Sequence, residues 1–374
     1  MNVLVLNSGS GSVKYQLINT KTKDVVKKGD AQDVKDFTSA VEDIFKQIAG
    51  QHVDAIGHRV VHGGEEFKTA ALVTDETLKK VDAVSHLAPL HNPTNLAGIR
   101  ACIKLYPSVP NVMVFDTAFH TTMQPEAFLY AIPLEDYKNH GIRRYGFHGT
   151  SHNFVSRECA KMYGKPREEL RIITCHIGNG CSVCAVDKGK SVETSMGLTP
   201  LEGLMMGSRS GDIDPAVIQY LSKAHNFTVE QVVNYLNKEC GLKGLANIGS
   251  GYMFDLMPEF CNGNQDVKTA LEVYCRRLVK YIGGYAAIMN GVDAIVWTGG
   301  IGNNTPFVRE YVMRHFGFLG ANIDLEQNVI YHNNGKTGEI TSSGSTVRTF
   351  VIKTNEEQEI ATETAAIVAD HKHK

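Results

Sequence analysis

The pattern that most constrains the fold is a buried strand that enters a glycine turn and returns as a second strand. Residues 3–6 are an apolar run typical of a buried strand, residues 7–12 are a Gly/Ser turn, and residues 15–18 read as the second strand. The same order of strand, Gly-x-Gly turn and strand returns at residues 172–186. Both copies precede alternating strands and helices, so the sequence predicts a duplicated α/β unit.

Glycine turns of this kind suit phosphate binding. Glycine lacks a Cβ, and the backbone N–H groups of such a turn can point at an anion. A third glycine turn, at residues 299–304, follows the apolar strand 293–298. Three such turns favour a polyphosphate held between two halves, although an ordinary hairpin with a flexible tip explains the first turn equally well. No Walker string Gly-x4-Gly-Lys-Ser/Thr occurs, and residues 299–302 lack the Rossmann spacing.

Composition excludes several classes of partner. A length of 374 residues predicts about two domains with ample core. A formal net charge of −2 gives no basic surface for nucleic acid or membrane, and no apolar stretch has the length of a membrane span. The sequence begins directly with a strand and lacks a signal-peptide pattern, so we expect a cytoplasmic protein.

The eight cysteines fit that compartment, because most lie in apolar runs, as small core residues do. Cys181 and Cys184 have the Cys-x-x-Cys spacing that also suits a metal or redox site. No second pair stands at zinc spacing, and on a strand these two side chains face opposite sides. Core packing is therefore the expectation, which stoichiometric zinc or a disulfide would overturn.

Local signals place several elements that bear on function. Asn92 and Pro93 read as the cap and first residue of a helix that ends before Pro107. Asp116 follows the predicted strand 109–115 at its carboxyl end, where α/β sheets bind ligands.

Histidines and arginines beside the glycine turns are candidate functional side chains. His58 and His62 have i, i+4 spacing, but the residues between them read as strand, so a structural hydrogen-bonding role is favoured over metal binding. His148 lies in a glycine-flanked loop before a helix, where it could reach a ligand or simply pack. Arg59 and Arg209 suit a carboxylate or phosphate through their planar forks, although a surface arginine is more often only solvated.

Oxygen donors stand at strand ends and at a helix start. Asn7, Asp116 and Glu356 could coordinate Mg²⁺, a hard cation that retains several waters. For Glu356, the alternative is a capping carboxylate at the start of the predicted C-terminal helix 356–369.

Taken together, these motifs resemble the acetokinase family, within the superfamily of acetate and sugar kinases, Hsp70 and actin. The matching motifs run from end to end of the chain in one order: residues 6–14, 57–64, 87–93, 115–120, 145–152, 176–180, 197–215, 298–304 and 354–357. Each motif alone is weak, whereas the ordered set is specific.

The resemblance implies reversible, Mg²⁺-dependent phosphoryl transfer from ATP to acetate, giving acetyl phosphate and ADP by direct in-line transfer, with Mn²⁺ as a substitute metal. It implies an α/β fold of duplicated actin/ribonuclease-H-like domains with a nucleotide cleft between them. The N-terminal domain would be residues 1–150 plus the helix 356–374, and the C-terminal, nucleotide-binding domain residues 151–355. It also implies a homodimer.

The resemblance further assigns site residues. The catalytic residues would be Asp116, His148 and Arg209, the last two stabilising the transferring phosphoryl group. Arg59 would bind the substrate carboxylate, and the other substrate-binding residues would be Val61, Leu90, His91, Phe147 and Pro200. Asn7 and Glu356 would hold the metal. The nucleotide would be bound by Ser10, Ser12, Lys14, His176, Ile177, Gly178, Asn179, Gly180, Asp255, Leu256, Met257, Gly300, Ile301, Gly302, Asn303 and Asn304.

The sequence departs from the family pattern at three positions. Gly11 stands where a third serine is usual, Asn303 replaces a glutamate, and Met257 stands where an arginine is expected beside the nucleotide. These departures leave the nucleotide preference open.

The ionisation state of the substrate indicates what Asp116 does. A carboxylate substrate is ionised at neutral pH because such groups have a pKa near 4, so no general base is needed. Asp116 is therefore expected to act by positioning the metal or an arginine.

The residue at position 61 bears on the preferred acid. A valine there, rather than a smaller residue, favours acetate over propionate, and one methylene contributes about 1–3 kcal/mol of discrimination.

Three alternatives stay open. A propionate or butyrate kinase of the same fold would differ in its preferred acid. An actin- or Hsp70-like ATP-binding switch would show acid-independent ATPase activity, although Arg59 and Arg209 argue against it. A histidine-metal hydrolase would hold a transition metal tightly.

Overall fold

The computed structural model describes residues 1–9 and 11–372, and the chain divides into two compact units. Unit 1 comprises Met1–Thr121, Phe147–Phe154 and Asn355–Lys374, and unit 2 comprises Thr122–Gly146 and Val155–Thr354. The sequence placed residues 122–146 in the first domain, whereas their contacts lie in unit 2. The backbone N–H groups of Tyr145 and Gly146, for example, both donate to the carbonyl of Gly197, at 3.1 and 3.2 Å.

Each unit contains a six-stranded mixed sheet. The strands of unit 1 are β1 (Asn2–Ser8), β2 (Ser12–Asn19), β3 (Val25–Gln32), β4 (Ala55–Val60), β5 (Ala71–Leu72) and β6 (Asn111–Phe115). The strands of unit 2 are β7 (Arg171–Ile177), β8 (Cys181–Asp187), β9 (Lys190–Thr194), β10 (Ala294–Thr298), β11 (Gly338–Glu339) and β12 (Arg348–Val351).

The two sheets have the same topology. Unit 1 has the order β3-β2-β1-β4-β6-β5, and unit 2 has the order β9-β8-β7-β10-β12-β11 when its sheet is followed from the corresponding edge. In each sheet the first three strands are antiparallel, and the third strand pairs in parallel with the fourth, as the fourth does with the fifth. A two-residue antiparallel strand lies at the far edge. This repetition confirms the duplicated α/β fold that the two strand–glycine–strand patterns predicted.

Helices cover these sheets. They are α1 (Phe37–Gln47), α2 (Asp75–Ala83), α3 (Asn92–Leu105), α4 (Pro125–Phe128), α5 (Leu134–His140), α6 (Gly149–Tyr163), α7 (Val217–His225), α8 (Val229–Lys238), α9 (Gly241–Ala246), α10 (Met253–Cys261), α11 (Gln265–Ile288), α12 (Gly299–Asn304), α13 (Pro306–Met313), α14 (Leu325–Ile330) and α15 (Glu356–Lys372). Within the described part of the chain, none of them combines the length and the apolar character that crossing a membrane requires.

Alternation along β1 shows how the sheet of unit 1 is buried on both faces. Leu4 and Leu6 belong to a core cluster with residues of α1 and α3, whereas Val3 and Val5 belong to a cluster with residues of α15. Because successive side chains of a strand point to opposite faces, a strand covered on both sides reads as a continuous apolar run. The run at residues 3–6 is therefore explained by two layers of helices.

Helix α15 lies very close to β4. A Cβ added at Gly57 would lie 2.4 Å from Thr364 Oγ1 and 2.9 Å from Ile360 Cγ2, so a side chain does not fit there. Glycine at this position permits the close approach of helix and strand.

Two local predictions are wrong in detail. The helix α3 has His91 as its cap residue, and Asn92 does not cap it. Instead, the Asn92 amide accepts from the His62 N–H at 3.1 Å and donates to the His62 carbonyl at 2.9 Å. Residues 299–304, read as a turn, form the short helix α12, entered through Gly299 at φ +78°. A long-range hydrogen bond and a left-handed glycine account for these differences.

Candidate active site

The carboxyl ends of two parallel strands of unit 1 bring Arg59 and Asp116 together. Arg59 lies near the end of β4, and Asp116 directly follows β6, with its N–H donating to the Val60 carbonyl at 3.0 Å. Arg59 Nε donates to Asp116 Oδ1 at 3.2 Å, and Nη2 donates to Oδ2. Desolvation by burial lowers the pKa of the Arg59 guanidinium. The negative charges of Asp116 and Glu356 have the larger, opposite effect, so the pKa is raised overall.

Asn7 and Glu356, the predicted metal ligands, lie beside this pair. Asn7, in β1, accepts from Arg59 Nη1 at 3.3 Å through its Oδ1. Glu356 is the first residue of α15. At the start of this helix, the Asn355 side chain accepts a hydrogen bond from the Gln358 N–H. Desolvation, followed by the negative charge of Asp116, raises the pKa of Glu356 above its ordinary value.

This donor set fits a hard divalent cation. The carboxylates of Asp116 and Glu356 repel each other, an effect that Arg59 opposes, and Asn7 adds an amide oxygen. Mg²⁺ is usually held by one or two carboxylates together with waters and substrate phosphates. Among the described residues there is no cluster of three or more His, Cys, Asp or Glu that could hold a metal by itself.

The first two residues of α6 are hydrogen-bonded to Asp116. The Asp116 carbonyl accepts from the Gly149 N–H at 2.8 Å, and the Thr150 hydroxyl donates to Asp116 Oδ1 at 3.4 Å. A Cβ added at Gly149 would lie 2.3 Å from that carbonyl, so only glycine allows this approach. His148 has a left-handed backbone at φ +55°, and its carbonyl accepts from His152 N–H at 2.9 Å. The backbone of the predicted catalytic histidine is therefore fixed relative to Asp116.

The predicted acyl-pocket residues of unit 1 differ in their exposure. Val61 and Phe147 are buried, and the Val61 N–H donates to the Asn95 side chain at 3.1 Å. Leu90, in contrast, is 76% exposed. The His91 N–H donates to the Ala88 carbonyl at 3.0 Å, in the turn that starts α3.

His58 has a structural role. It is buried, and its Nε2 donates to Asn111 Oδ1 at 2.7 Å. Burial lowers the pKa of His58 to about 4, and the hydrogen bond to Asn111 opposes that shift. This is the hydrogen-bonding role that the sequence favoured over metal binding.

The hairpin tip of unit 1 carries Ser12 and Lys14. The Ser12 carbonyl accepts from the Gly9 N–H at 2.7 Å, which closes the tip, while the predicted nucleotide ligand Ser10 lies outside the described residues. Lys14 is exposed on β2 opposite Asn7, and with Glu357 it lines a groove of about 530 Å³. An exposed lysine at this place is available to a phosphate.

Unit 2 contains a cavity of about 480 Å³. Six of the predicted nucleotide-binding residues line it: Gly178, Asn179, Met257, Gly300, Ile301 and Asn304. The other predicted nucleotide-binding residues of this unit do not line it: His176, Ile177, Gly180, Asp255, Leu256, Gly302 and Asn303. Leu256 is fully buried, and Asp255 accepts from the Ser250 hydroxyl.

Several lining residues of this cavity were not predicted from the sequence. They include Tyr252, Phe254, Phe307 and His332. The rings of Tyr252 and Phe254 stack with centroids 5.4 Å apart, although Phe254 is 73% exposed. Two aromatic residues at i and i+2, Tyr252 and Phe254, are a sequence pattern that could have indicated a stacking site. No local sequence pattern marks His332. Together with Met257, these side chains make the cavity largely apolar, which suits the face of a nucleobase.

Arg209 is a half-buried cation in unit 2 without an acidic partner among the described residues. Its Nη1 donates to the Pro200 carbonyl at 3.1 Å. Burial lowers the pKa of Arg209, an effect that the nearby Cys181 opposes. Since a desolvated, uncompensated charge is costly, an anion that binds here gains the full attraction of the guanidinium.

Six of the eight cysteines are buried, whereas Cys240 is partly buried and Cys261 is exposed. All eight lie in the described chain and are free thiols. Cys181 and Cys184 are buried in β8, where burial raises the pKa of their thiols to about 11 and about 12. Such thiols are poor metal ligands and poor nucleophiles.

Comparisons with known proteins point in one direction. The sequence profile described as the Acetokinase family matches residues 27–362. A protein named acetate kinase from Halothermothrix orenii is 47% identical over 400 residues, covering 98% of this chain and 100% of that protein.

Solved structures agree with this result. The crystal structure of Porphyromonas gingivalis acetate kinase superposes with a TM-score of 0.95 at 39% identity, covering 98% of this chain and 99% of that one. A propionate kinase from Francisella tularensis superposes with a TM-score of 0.90, also at 39% identity and with coverage of 98% and 99%. The fold is therefore shared by proteins named for two different acids.

Proposed function

Since the chain belongs to the acetokinase family, we propose that it transfers the γ-phosphoryl group of ATP to acetate, giving acetyl phosphate and ADP in a reversible reaction. It is a phosphotransferase with a carboxyl group as acceptor. The observation that carries the proposal is the Arg59–Asp116 pair at the carboxyl ends of β4 and β6. It presents an oriented guanidinium where α/β sheets bind ligands.

Arg59 binds the substrate carboxylate. A guanidinium has five N–H groups, of which three are engaged by Asp116 and Asn7, so two remain for a second carboxylate. Bidentate hydrogen bonds from a guanidinium to a carboxylate fix its plane as well as its position. Asp116 orients this guanidinium and keeps it charged, and it needs no proton from an acid that is already ionised.

His148 and Arg209 stabilise the transferring phosphoryl group. Phosphoryl transfer demands positioning and charge neutralisation more than covalent chemistry, because charge spreads over three equatorial oxygens in the transition state. The uncompensated charge of Arg209 and the fixed backbone of His148 support these roles. Transfer is direct and in line, from the ATP γ-phosphorus to a carboxylate oxygen.

Asn7 and Glu356 hold Mg²⁺, with Mn²⁺ as a substitute. A cation held by these two residues would supply positive charge to neutralise the phosphate oxygens. The raised pKa of Glu356 supports this assignment, because a carboxylate that is desolvated beside Asp116 gains from a nearby cation.

The adenine base binds in the cavity lined by Tyr252, Met257 and Ile301. The remaining nucleotide ligands are those that the resemblance assigns, including Ser10, Ser12 and Lys14 for the phosphates. Stacking on an aromatic ring tolerates any base, so we expect weak discrimination among purine nucleotides.

Val61, Leu90, Phe147 and Pro200 form the acyl pocket, in which acetate is preferred over propionate, and His91 is a further substrate-binding residue. The burial of Val61 and Phe147 supports an enclosed methyl site. We further propose, from the family alone, that the enzyme is a homodimer of the cytoplasm.

The reverse reaction tests this function. Purified protein, MgADP and acetyl phosphate are expected to yield ATP, detected by luciferase, and EDTA is expected to abolish the yield. Absence of ATP formation, in a preparation that binds MgADP, would refute the proposed function.

A further inference from the structure

The segment 197–212 carries both Pro200 and Arg209 but has no helix or strand. Its backbone therefore lacks the regular hydrogen bonds that would fix its conformation. Ordering an irregular segment costs conformational entropy, which contacts from outside the segment must offset. The source of those contacts decides how precisely Arg209 is placed.

Arg144 supplies contacts both immediately before the segment and within it. Its Nη1 donates to the carbonyl oxygens of residues 194–196, at 3.1, 3.3 and 3.3 Å. Its Nη2 donates to Glu202 Oε1 at 2.6 Å. One guanidinium thus joins the end of β9 to a side chain within the segment.

Tyr130 completes this arrangement. Its hydroxyl donates to Glu202 Oε2 and accepts from the Leu198 N–H at 2.8 Å. We refer to Arg144, Glu202 and Tyr130 as the Arg144 anchor. It binds the segment both at its backbone and at the Glu202 side chain.

The anchor lies directly against the backbone. A Cβ added at Gly197 would lie 1.6 Å from Glu202 Oε2 and 2.3 Å from the Tyr130 hydroxyl. No residue other than glycine fits at that distance. The glycine is therefore explained by the anchor, rather than by a need for flexibility.

Hydrogen bonds from Asp212 close the other end of the segment. Asp212 Oδ1 accepts from the Gly203 N–H at 2.7 Å, and the Asp212 N–H donates to the Gly203 carbonyl at 3.0 Å. Tyr281 donates to Asp212 Oδ2 at 2.7 Å, and Arg277 Nη1 donates to the Asp212 carbonyl at 3.0 Å. Arg209 lies within the loop that these bonds close.

We propose that Arg144 is a positioning residue for phosphoryl transfer, acting with Glu202 and Tyr130 through Pro200 on Arg209. The anchor fixes residues 197–202, and the Pro200 carbonyl accepts from Arg209 Nη1 at 3.1 Å. Displacing Pro200 therefore displaces the guanidinium that faces the phosphoryl group. This inference rests on the proposed function, because Arg209 is placed at the phosphoryl group there.

Two variants test the anchor. Tyr130→Phe removes one hydroxyl and keeps the ring, and Arg144→Lys keeps the charge but loses the fork that spans the carbonyls and Glu202. Arg171→Lys is the matched control, because Arg171 also joins a carboxylate, Asp293, to a backbone carbonyl in unit 2. We expect Arg144→Lys to lower kcat about 100-fold, because small misplacements of a charged group cost that much. The KM for ATP changes less than about twofold, and the control keeps its kcat.

A double-mutant cycle separates positioning from general destabilisation. In an Arg209→Ala background, Tyr130→Phe is expected to change kcat less than about twofold, because the group it positions is absent. If the two losses in kcat multiply instead, Tyr130 and Arg209 act independently and the proposal is overturned.

Hydrogen exchange provides a readout that needs no activity. Tyr130→Phe removes the acceptor of the Leu198 N–H, so exchange at Leu198 is expected to accelerate about tenfold or more while core amides of β7 keep their protection. Unchanged exchange at Leu198 overturns the proposal even if kcat falls. A wild-type protein that makes no acyl phosphate refutes the proposed function, whereas the exchange at Leu198 still decides whether Tyr130 holds the segment.

Discussion

The guanidinium of Arg59 and the carboxylate of Asp116 form a two-bond pair, with Nε 3.2 Å from Oδ1 and Nη2 bonded to Oδ2. The two residues are 57 positions apart, and the parallel pairing of β4 with β6 brings them together. The pair holds the guanidinium in one orientation, so that its remaining N–H groups can meet a substrate carboxylate. In the proposed function, Asp116 therefore acts as a positioning group rather than as a base.

Asp116→Asn is expected to lower kcat by about 100-fold, because the neutral amide leaves Arg59 less well oriented. Steady-state kinetics with saturating MgATP measure this loss. Asp293→Asn, which weakens the Arg171–Asp293 pair of unit 2, is the matched control and is expected to keep its kcat. Near-full turnover by Asp116→Asn would remove Asp116 from the reaction.

Much of this arrangement could be predicted from the sequence, because strands and glycine turns have recognisable local sequence patterns. The apolar runs at 3–6 and 172–177 predicted the central strands, and Asp116 was placed at the end of its strand by the run before it. Side-chain hydrogen bonds between residues far apart in the sequence have no such pattern. Asn92 bonds to His62, and Tyr130 bonds to Glu202 across 72 positions, so neither contact was predicted.

The apolar cavity of unit 2 illustrates the same limit. Glycine turns marked Gly178 and Gly300, since they interrupt apolar strands. The aromatic lining residues lie at the start of α10 and in α13, and they follow no periodic pattern. An aromatic side chain that stacks on a nucleobase also needs neither a charge nor a place in a sequence motif, so it is hard to predict.

Val61→Ala is expected to increase the ratio of propionate to acetate turnover by about tenfold, because the space of one or two methylenes opens beside the acyl group. The measurement is kcat/KM for both acids. Val60→Ala is the matched control, since Val60 is fully buried in a core cluster, and it is expected to lower the Tm without changing the ratio. An unchanged ratio in Val61→Ala would remove Val61 from the pocket.

Tyr252→Ala is expected to raise the KM for ATP about tenfold, because stacking of a base on an aromatic ring contributes about 1–3 kcal/mol. Tyr220→Ala serves as the control, because Tyr220 is a similarly exposed tyrosine on α7, away from the cavity lining. If the KM for ATP is the same in both variants, the base binds elsewhere.

His58 is expected to make stability depend on pH. Burial lowers the pKa of His58 to about 4 in the folded protein, against about 6.5 in the unfolded chain. Between these values the unfolded state binds one more proton, so stability falls as the pH drops from about 6.5 to about 4, by about 1.4 kcal/mol per pH unit. Above pH 6.5 both states are neutral and the dependence ends.

Urea unfolding at several pH values measures this dependence. His58→Gln is expected to reduce the slope below pH 6.5 by about 1.4 kcal/mol per pH unit, whereas the same change at the exposed His86 keeps it. An identical slope in His58→Gln and wild-type protein would show that His58 does not titrate abnormally.

The most direct test of the central claim is acyl phosphate formation from MgATP, trapped with hydroxylamine, with acetate, propionate, butyrate and no acid compared side by side. We expect a strong signal with acetate, a weaker one with propionate, and none without acid or with EDTA. A signal that peaks at a longer acid would contradict the assignment of acetate and of Val61. ATP hydrolysis without any acyl phosphate would contradict the phosphotransferase itself and favour an ATP-binding switch.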